Sequence, residues 1–115
     1  MDTVGLLVGV SSVAVGLITV LICLPLLRGQ IPRNNLYGFR LAEAFQSDEA
    51  WTQINRYGAR RMISWAIPLI LLGVATCFLP LSQQPWLTGG LALMPVVFVL
   101  APAYETWKYA RVTRR

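Results

Sequence analysis

The residues that could do chemistry in this sequence are polar side chains between positions 32 and 55, grouped around one arginine. Arg40 and Asn55 could together hold a phosphate, because a guanidinium donates paired N–H bonds and an amide both donates and accepts. Hydrolysis or group transfer would also need a general base or a metal, but the chain has no His and only five Asp and Glu residues. We therefore expect no catalytic residue, no metal site and no cofactor, and a protein that is not an enzyme.

The predicted site is one cluster on the cytoplasmic side of a membrane, with Arg40 as its charged centre. An ionised group at the edge of the hydrocarbon needs a partner, which here could be Glu43, Glu105, a helix-end carbonyl or a lipid phosphate. Only the lipid phosphate would make the site ligand-binding rather than structural. The predicted residues of this partner-binding or lipid-binding site are Pro32, Arg33, Asn34, Asn35, Tyr37, Gly38, Arg40, Trp51 and Asn55.

The segment 31–40 predicts a fixed turn at the membrane face. Pro32 disfavours a helical conformation in the residue before it, and Asn34 and Asn35 are turn-forming residues. Gly38 can adopt the positive φ that such a turn needs. The apolar and aromatic members would anchor the turn in the interface while its two arginines reach anionic headgroups. These anchors are Leu36, Tyr37 and Phe39.

An amphipathic helix is predicted at 47–61, along or beneath the inner membrane surface. Ser47 is a good N-cap, and the acidic residues Asp48 and Glu49 favour the positive end of the helix dipole. Helical spacing separates two faces. Glu49, Gln53, Arg56 and Arg60 share the polar face, and Ala50, Trp51, Ile54 and Gly58 the other.

The elements that position these residues are apolar helices. The chain has 115 residues, of which 56% are hydrophobic and 13% charged, with a mean hydropathy of +0.57. A membrane-crossing helix needs about 20 apolar residues. The stretch 3–27 is uncharged, and the uncharged stretch 62–104 is long enough to cross twice if it turns at the polar segment 82–85. We therefore predict an all-α protein with crossings at about 4–27, 62–81 and 86–107, a loop at 28–61 and a tail at 108–115.

The cations predict the orientation of the chain. All ten Lys and Arg residues lie in the loop 28–61 or the tail 108–115, and none lies at the N-terminus or in the hairpin. We therefore predict a protein of the inner (plasma) membrane. The positive-inside rule puts its N-terminus outside the cell and its C-terminus in the cytoplasm. Because the cations lie next to membrane helices, we expect anionic lipid headgroups as partners and no nucleic acid.

Small residues line one face of the first helix and permit close helix packing. This face could form a homo-oligomer or pack on the second helix, which also carries small residues; we favour packing within the chain. Cys23 and Cys77 lie near opposite ends of their helices, so we predict that they form no disulfide bond with each other. The small residues are Gly5, Gly9, Ser12, Gly16 and Cys23.

The loop resembles the signature of the SdpI family of small integral membrane proteins. It contains a Pro-x-Asn-x-x-Tyr-Gly-x-Arg core followed by Ser-x-x-x-Trp-x-x-x-Asn, and it departs from many members at Leu41, where they have Thr. The matching residues are Pro32, Asn34, Tyr37, Gly38, Arg40, Ser47, Trp51, Asn55 and Gly58.

This resemblance implies a bacterial membrane protein without enzymatic activity. The family's namesake is longer, protects its producer from a secreted membrane-active peptide toxin, and recruits a transcriptional repressor to the membrane. The present chain is similar to the conserved C-terminal domain of that protein. The resemblance therefore implies toxin immunity or signalling, and the alternative is an accessory subunit or lipid-binding scaffold of a larger membrane complex.

Overall fold

Three long helices make up this protein in a computed structural model that describes residues 2–113. They are α1 (Thr3–Leu27), α2 (Asp48–Thr76) and α3 (Pro85–Thr113), with short 3-10 turns at Ala42–Gln46 and Leu81–Gln83. No strand occurs within the described range. All three helices are long and apolar enough to cross a membrane by length and composition. The prediction of an all-helical membrane protein with three spanning segments is thus confirmed at this level.

The second helix differs from the prediction, because α2 runs without interruption from Asp48 to Thr76. The sequence predicted a helix at 47–61 along the membrane surface and a separate crossing at 62–81. Nothing breaks the helix between them, since Arg60, Arg61 and Met62 are all good helix formers. The amphipathic segment therefore extends the crossing helix along its own axis. The helix ends before 81 because Pro80 disfavours a helical conformation at Leu79.

The third helix is longer than predicted at its C-terminal end. It begins at Pro85, whose fixed φ and missing N–H suit the first position of a helix. It continues to Thr113, so most of the basic segment 108–115 is helical rather than an irregular tail. Arg114 and Arg115 lie outside the described residues.

The small face of α1 packs against α2. A Cβ added at Gly9 would lie 2.5 Å from the carbonyl oxygen of Gly73, and one added at Gly73 would lie 2.9 Å from the carbonyl oxygen of Gly9. Glycine at both positions lets the two backbones come this close. The predicted intramolecular packing is therefore confirmed, and α2 occupies the face that could have formed a homodimer. The buried residues of this face are Gly5, Gly9, Ser12, Gly16 and Cys23.

The N-terminus is tied to the turn between α2 and α3. Asp2 caps α1 by accepting a 2.8 Å bond from the backbone N–H of Gly5. Its carboxylate also accepts bonds from the backbone N–H of Ser82, at 3.2 Å, and from the Ser82 hydroxyl. These bonds place Asp2 at what we call the hairpin end of the bundle, opposite the loop. Cys77 lies near this end, Cys23 lies towards the other, and both are free thiols as predicted.

The core that positions the loop lies at the opposite end. Residues from the 3-10 turn, α2 and α3 meet there, and Phe39, Phe45 and Tyr109 pack around them. By contrast, a Cβ added at Gly89 near the start of α3 would have no neighbour within 4 Å. The start of α3 at Gly89 is therefore open, whereas the loop sits on a packed core. The buried residues of this core are Ala44, Trp51, Ile54 and Ala110.

Candidate functional site

The described cations all lie at the loop end of the bundle, which we call the basic end. They come from the end of α1, the loop, the first half of α2 and the end of α3. This arrangement follows from the antiparallel order of the helices, and it places the positive charge around the predicted site. The cations are Arg28, Arg33, Arg40, Arg56, Arg60, Arg61, Lys108 and Arg111.

Asn34 builds the first turn of the loop. Its side-chain oxygen accepts from the backbone N–H groups of Leu36, at 2.8 Å, and Tyr37, at 2.6 Å. Its side-chain nitrogen donates to the carbonyl oxygens of Pro32, at 2.7 Å, and Tyr37, at 3.1 Å. The side chain thus replaces backbone hydrogen bonds within the turn, as asparagine commonly does. This predicted site residue holds the shape of the loop.

Gly38 has a φ of 115°, so its predicted positive φ is confirmed. An added Cβ would lie 2.6 Å from the side-chain oxygen of Asn55 and 2.9 Å from the ring of Trp51. Glycine is required here both by the backbone conformation and by the close approach to α2.

Two buried side chains of α2 hold the two arms of the loop. The Asn55 amide oxygen accepts a 2.6 Å bond from the backbone N–H of Phe39, and its nitrogen donates to the Trp51 carbonyl at 2.9 Å. The indole N–H of Trp51 donates to the carbonyl oxygen of Ile31, also at 2.9 Å. Trp51 was predicted on the apolar face of the helix, and its indole N–H also fixes the start of the loop by this bond.

Aromatic side chains fasten the loop to the helices. The Tyr37 hydroxyl donates to the carbonyl oxygen of Ile22 in α1. The ring of Phe39 lies over Gly58 of α2, where an added Cβ would be 2.6 Å from a ring carbon. Tyr37 and Phe39 therefore face the bundle, whereas Leu36 is 94% exposed.

The two arginines of the loop bond to neighbouring loop and helix atoms. Arg33 donates to the Phe45 carbonyl at 3.1 Å and lies 3.4 Å from the Asp48 carboxylate. Arg40 is exposed, and one of its terminal nitrogens donates to the carbonyl oxygen of Asn35. Arg40 therefore bonds to a carbonyl of the loop itself, which was not among the predicted partners.

Glu105 was one of the possible partners of Arg40, but it pairs with Arg61 instead. The Glu105 carboxylate accepts from Arg61, at 3.0 Å and 3.2 Å, and from the Trp65 indole N–H at 2.9 Å. Arg61 and Trp65 are one turn apart on α2 and face α3 at the depth of Glu105. Sequence reasoning missed this cluster, although an isolated carboxylate inside an apolar segment did indicate that a partner was needed.

The predicted site residues thus fall into two groups. Asn34, Tyr37, Gly38, Trp51 and Asn55 are used to fold the loop and attach it. A second group is exposed and forms what we call the loop surface. Among residues 2–113 no three His, Cys, Asp or Glu side chains are placed to hold a metal ion. The loop surface consists of the predicted site residues Pro32, Arg33, Asn35 and Arg40, together with the exposed Leu36.

Comparison with known proteins gives one family. The model of the SdpI/YfhL protein family matches residues 30–103, which include the loop, all of α2 and most of α3. No curated protein and no solved structure matches the chain. The match covers more than half of the sequence and includes the residues that fold the loop onto α2. On this evidence the chain belongs to the SdpI/YfhL protein family.

Proposed function

We propose that this chain is a non-enzymatic protein of the bacterial inner membrane that acts as SdpI-type immunity and signalling proteins do. Its loop surface would be the part that meets a protein partner. The observation that supports this proposal is the attachment of both arms of the loop to α2, through Trp51 and Asn55. A loop held in this way presents a preformed surface.

A preformed surface favours binding, because little conformational entropy is lost when a partner docks. Leu36 projects from the loop as an exposed apolar side chain, and Arg33 and Arg40 are exposed beside it in the sequence. An apolar anchor with flanking arginines suits a partner that has an apolar pocket and acidic groups. Since the positive-inside rule places the loop in the cytoplasm, the expected partner is a cytoplasmic protein.

The second candidate function is that of an accessory subunit or lipid-binding scaffold. It is favoured by the bond from the Tyr37 hydroxyl to the carbonyl of Ile22, which lies within the apolar stretch of α1. This bond holds the tip of the loop close to the depth of the membrane interface. Leu36 could then insert among lipids while Arg40 contacts headgroups.

The proposal can be tested in bacteria exposed to a secreted membrane-active peptide toxin. Wild-type protein should raise survival, and the double variant Leu36→Ser/Arg40→Ala should not, at equal abundance in the membrane. Arg111→Ala, which removes an exposed cation of α3 outside the loop surface, should protect like the wild type. Protection that is unaffected by the double variant would contradict the role of the loop surface.

Purification in a gentle detergent separates the two candidate functions. A cytoplasmic protein that co-purifies with the wild type but not with the double variant would favour signalling. Stoichiometric lipid without a protein partner, together with no protection from the toxin, would favour the scaffold.

A further inference from the structure

A groove outside the loop surface runs between the first half of α2 and the last turns of α3. Its volume is about 630 Å³. One end carries arginines and the other carries carboxylates, and two aromatic rings line the groove at the arginine end. The residues on which the inference rests are Arg56, Arg60, Tyr57, Tyr109, Asp48 and Glu49.

Arg56 and Arg60 are the cations of this groove, and both are exposed. They are one helical turn apart, where like charges repel each other. Arg56 donates to the carbonyl oxygen of Arg28 at 3.5 Å, which is at the long limit for a hydrogen bond. Within residues 2–113, neither arginine forms an ion pair, whereas Arg33 and Arg61 do. An anion bound near both arginines would offset their repulsion.

The aromatic wall gives the groove a fixed shape. The rings of Tyr57 and Tyr109 are stacked, with centroids 3.9 Å apart and an angle of 6° between their planes. Tyr57 lies on α2 between the two arginines, and Tyr109 lies on α3. The stack therefore joins the two helices beside the cations.

The groove lies at the depth of lipid headgroups. Arg60 is followed by Arg61, which pairs with Glu105 of α3, and the uncharged part of α2 begins at Met62. The arginines are thus in the last turns before the hydrocarbon, where phospholipid phosphates lie. Asp48 and Glu49, about two turns further out, could accept hydrogen bonds from the hydroxyl or ammonium groups of a headgroup.

We propose that this groove binds the phosphodiester headgroup of a membrane phospholipid. Arg56 and Arg60 hold the phosphate through paired N–H bonds, and the Tyr57–Tyr109 stack forms the wall against which the headgroup rests. This site is separate from the loop surface, and it does not depend on a role in immunity.

The test is a titration of detergent-purified, delipidated protein with phosphatidylglycerol, followed by native mass spectrometry. The variant Arg56→Gln/Arg60→Gln should bind about 30-fold more weakly, and each single variant about fivefold more weakly. The matched control Lys108→Gln/Arg111→Gln removes the same charge from α3 outside the groove and should bind like the wild type. Circular dichroism should show equal helix content in all of these proteins.

Three outcomes would overturn the proposal. Equal loss of binding in the groove variant and the matched control would mean that only net charge attracts the lipid. Displacement of the lipid by an equal concentration of inorganic phosphate would reassign the groove to free phosphate. Co-purification of an acidic protein that requires Arg56 and Arg60, without bound lipid, would reassign it to a protein partner.

Discussion

Gly38 of the loop lies directly against Asn55 of α2, so that a Cβ at position 38 would be 2.6 Å from the Asn55 side-chain oxygen. The same oxygen accepts the backbone N–H of Phe39 at 2.6 Å. The buried amide of Asn55 therefore holds the loop in place and also excludes any side chain at position 38. The loop and α2 behave as one unit through this contact.

Replacing Gly38 should destabilise the protein more than replacing a glycine in open space. Gly38→Ala should lower the free energy of unfolding by about 1 to 3 kcal/mol, because an L residue is strained at a φ of 115° and its Cβ would press on Asn55. Gly89→Ala is the control, since its Cβ meets nothing within 4 Å and alanine is the better helix former. Thermal unfolding in detergent measures both. Equal stability of the two variants would contradict a rigid turn.

Removing the Asn55 side chain should free the loop. Asn55→Ala leaves the Phe39 N–H without its acceptor, which costs about 1 to 3 kcal/mol where the group is shielded from water. Limited trypsin digestion should then cut faster after Arg33 and Arg40. Ser64→Ala removes only a bond to the carbonyl of Arg60 in its own helix and should leave the digestion unchanged.

The partner of Glu105 can be identified with double-mutant cycles. Glu105→Gln and Arg61→Gln should be coupled by about 0.5 to 3 kcal/mol, because their side chains share two hydrogen bonds. A cycle of Glu105→Gln with Lys108→Gln should show little coupling, since the structure records no contact between those side chains within the described residues. Coupling in the second cycle and not in the first would contradict the structure.

Stability should depend on pH through Asp2. The hydrogen bond from the Ser82 hydroxyl, and then that from the Gly5 N–H, hold the pKa of the Asp2 carboxyl below its ordinary value of 3.8. A carboxyl whose pKa is lowered in the folded state stabilises the protein at any pH above its ordinary pKa. This stability is lost as the pH falls through the lowered pKa of the folded state. Asp2→Asn keeps a capping oxygen but removes the charge. The melting temperature of this variant should therefore lie furthest below that of the wild type at pH 7, and the difference should shrink as the pH falls below 3.8 and through the lowered pKa of the folded protein. A deficit that stays constant with pH would contradict this role of the carboxylate.

Cysteine labelling in cells tests the orientation of the bundle. In a variant without Cys23 and Cys77, a membrane-impermeant thiol reagent added outside should label a cysteine at Gln84 but not one at Gln46. The physical reason is the absence of Lys and Arg from the hairpin end and their concentration at the other. Labelling at Gln46 from outside would reverse the assignment of the two ends.

Several features of this protein follow from the sequence by itself. The two uncharged stretches 3–27 and 62–104, with the polar break at 82–85 inside the second, predict three long apolar helices, because about 20 apolar residues are needed for each crossing. The turn is also local, since Asn34 bonds to atoms within three residues of itself and Gly38 is the residue that tolerates positive φ. The small face of α1 is visible as helical spacing.

Only the tertiary structure decided which side chains meet. Sequence reasoning offered Glu105 as a partner for Arg40, but the rotation of α2 against α3 brings Arg61 and Trp65 to it. That rotation depends on packing across all three helices, which the period of one helix does not encode. For the same reason the sequence did not predict that α2 is one helix from Asp48 to Thr76, or that the Phe39 ring packs on Gly58. The loop obtains its local shape from its own residues and its place from the helices on which it packs.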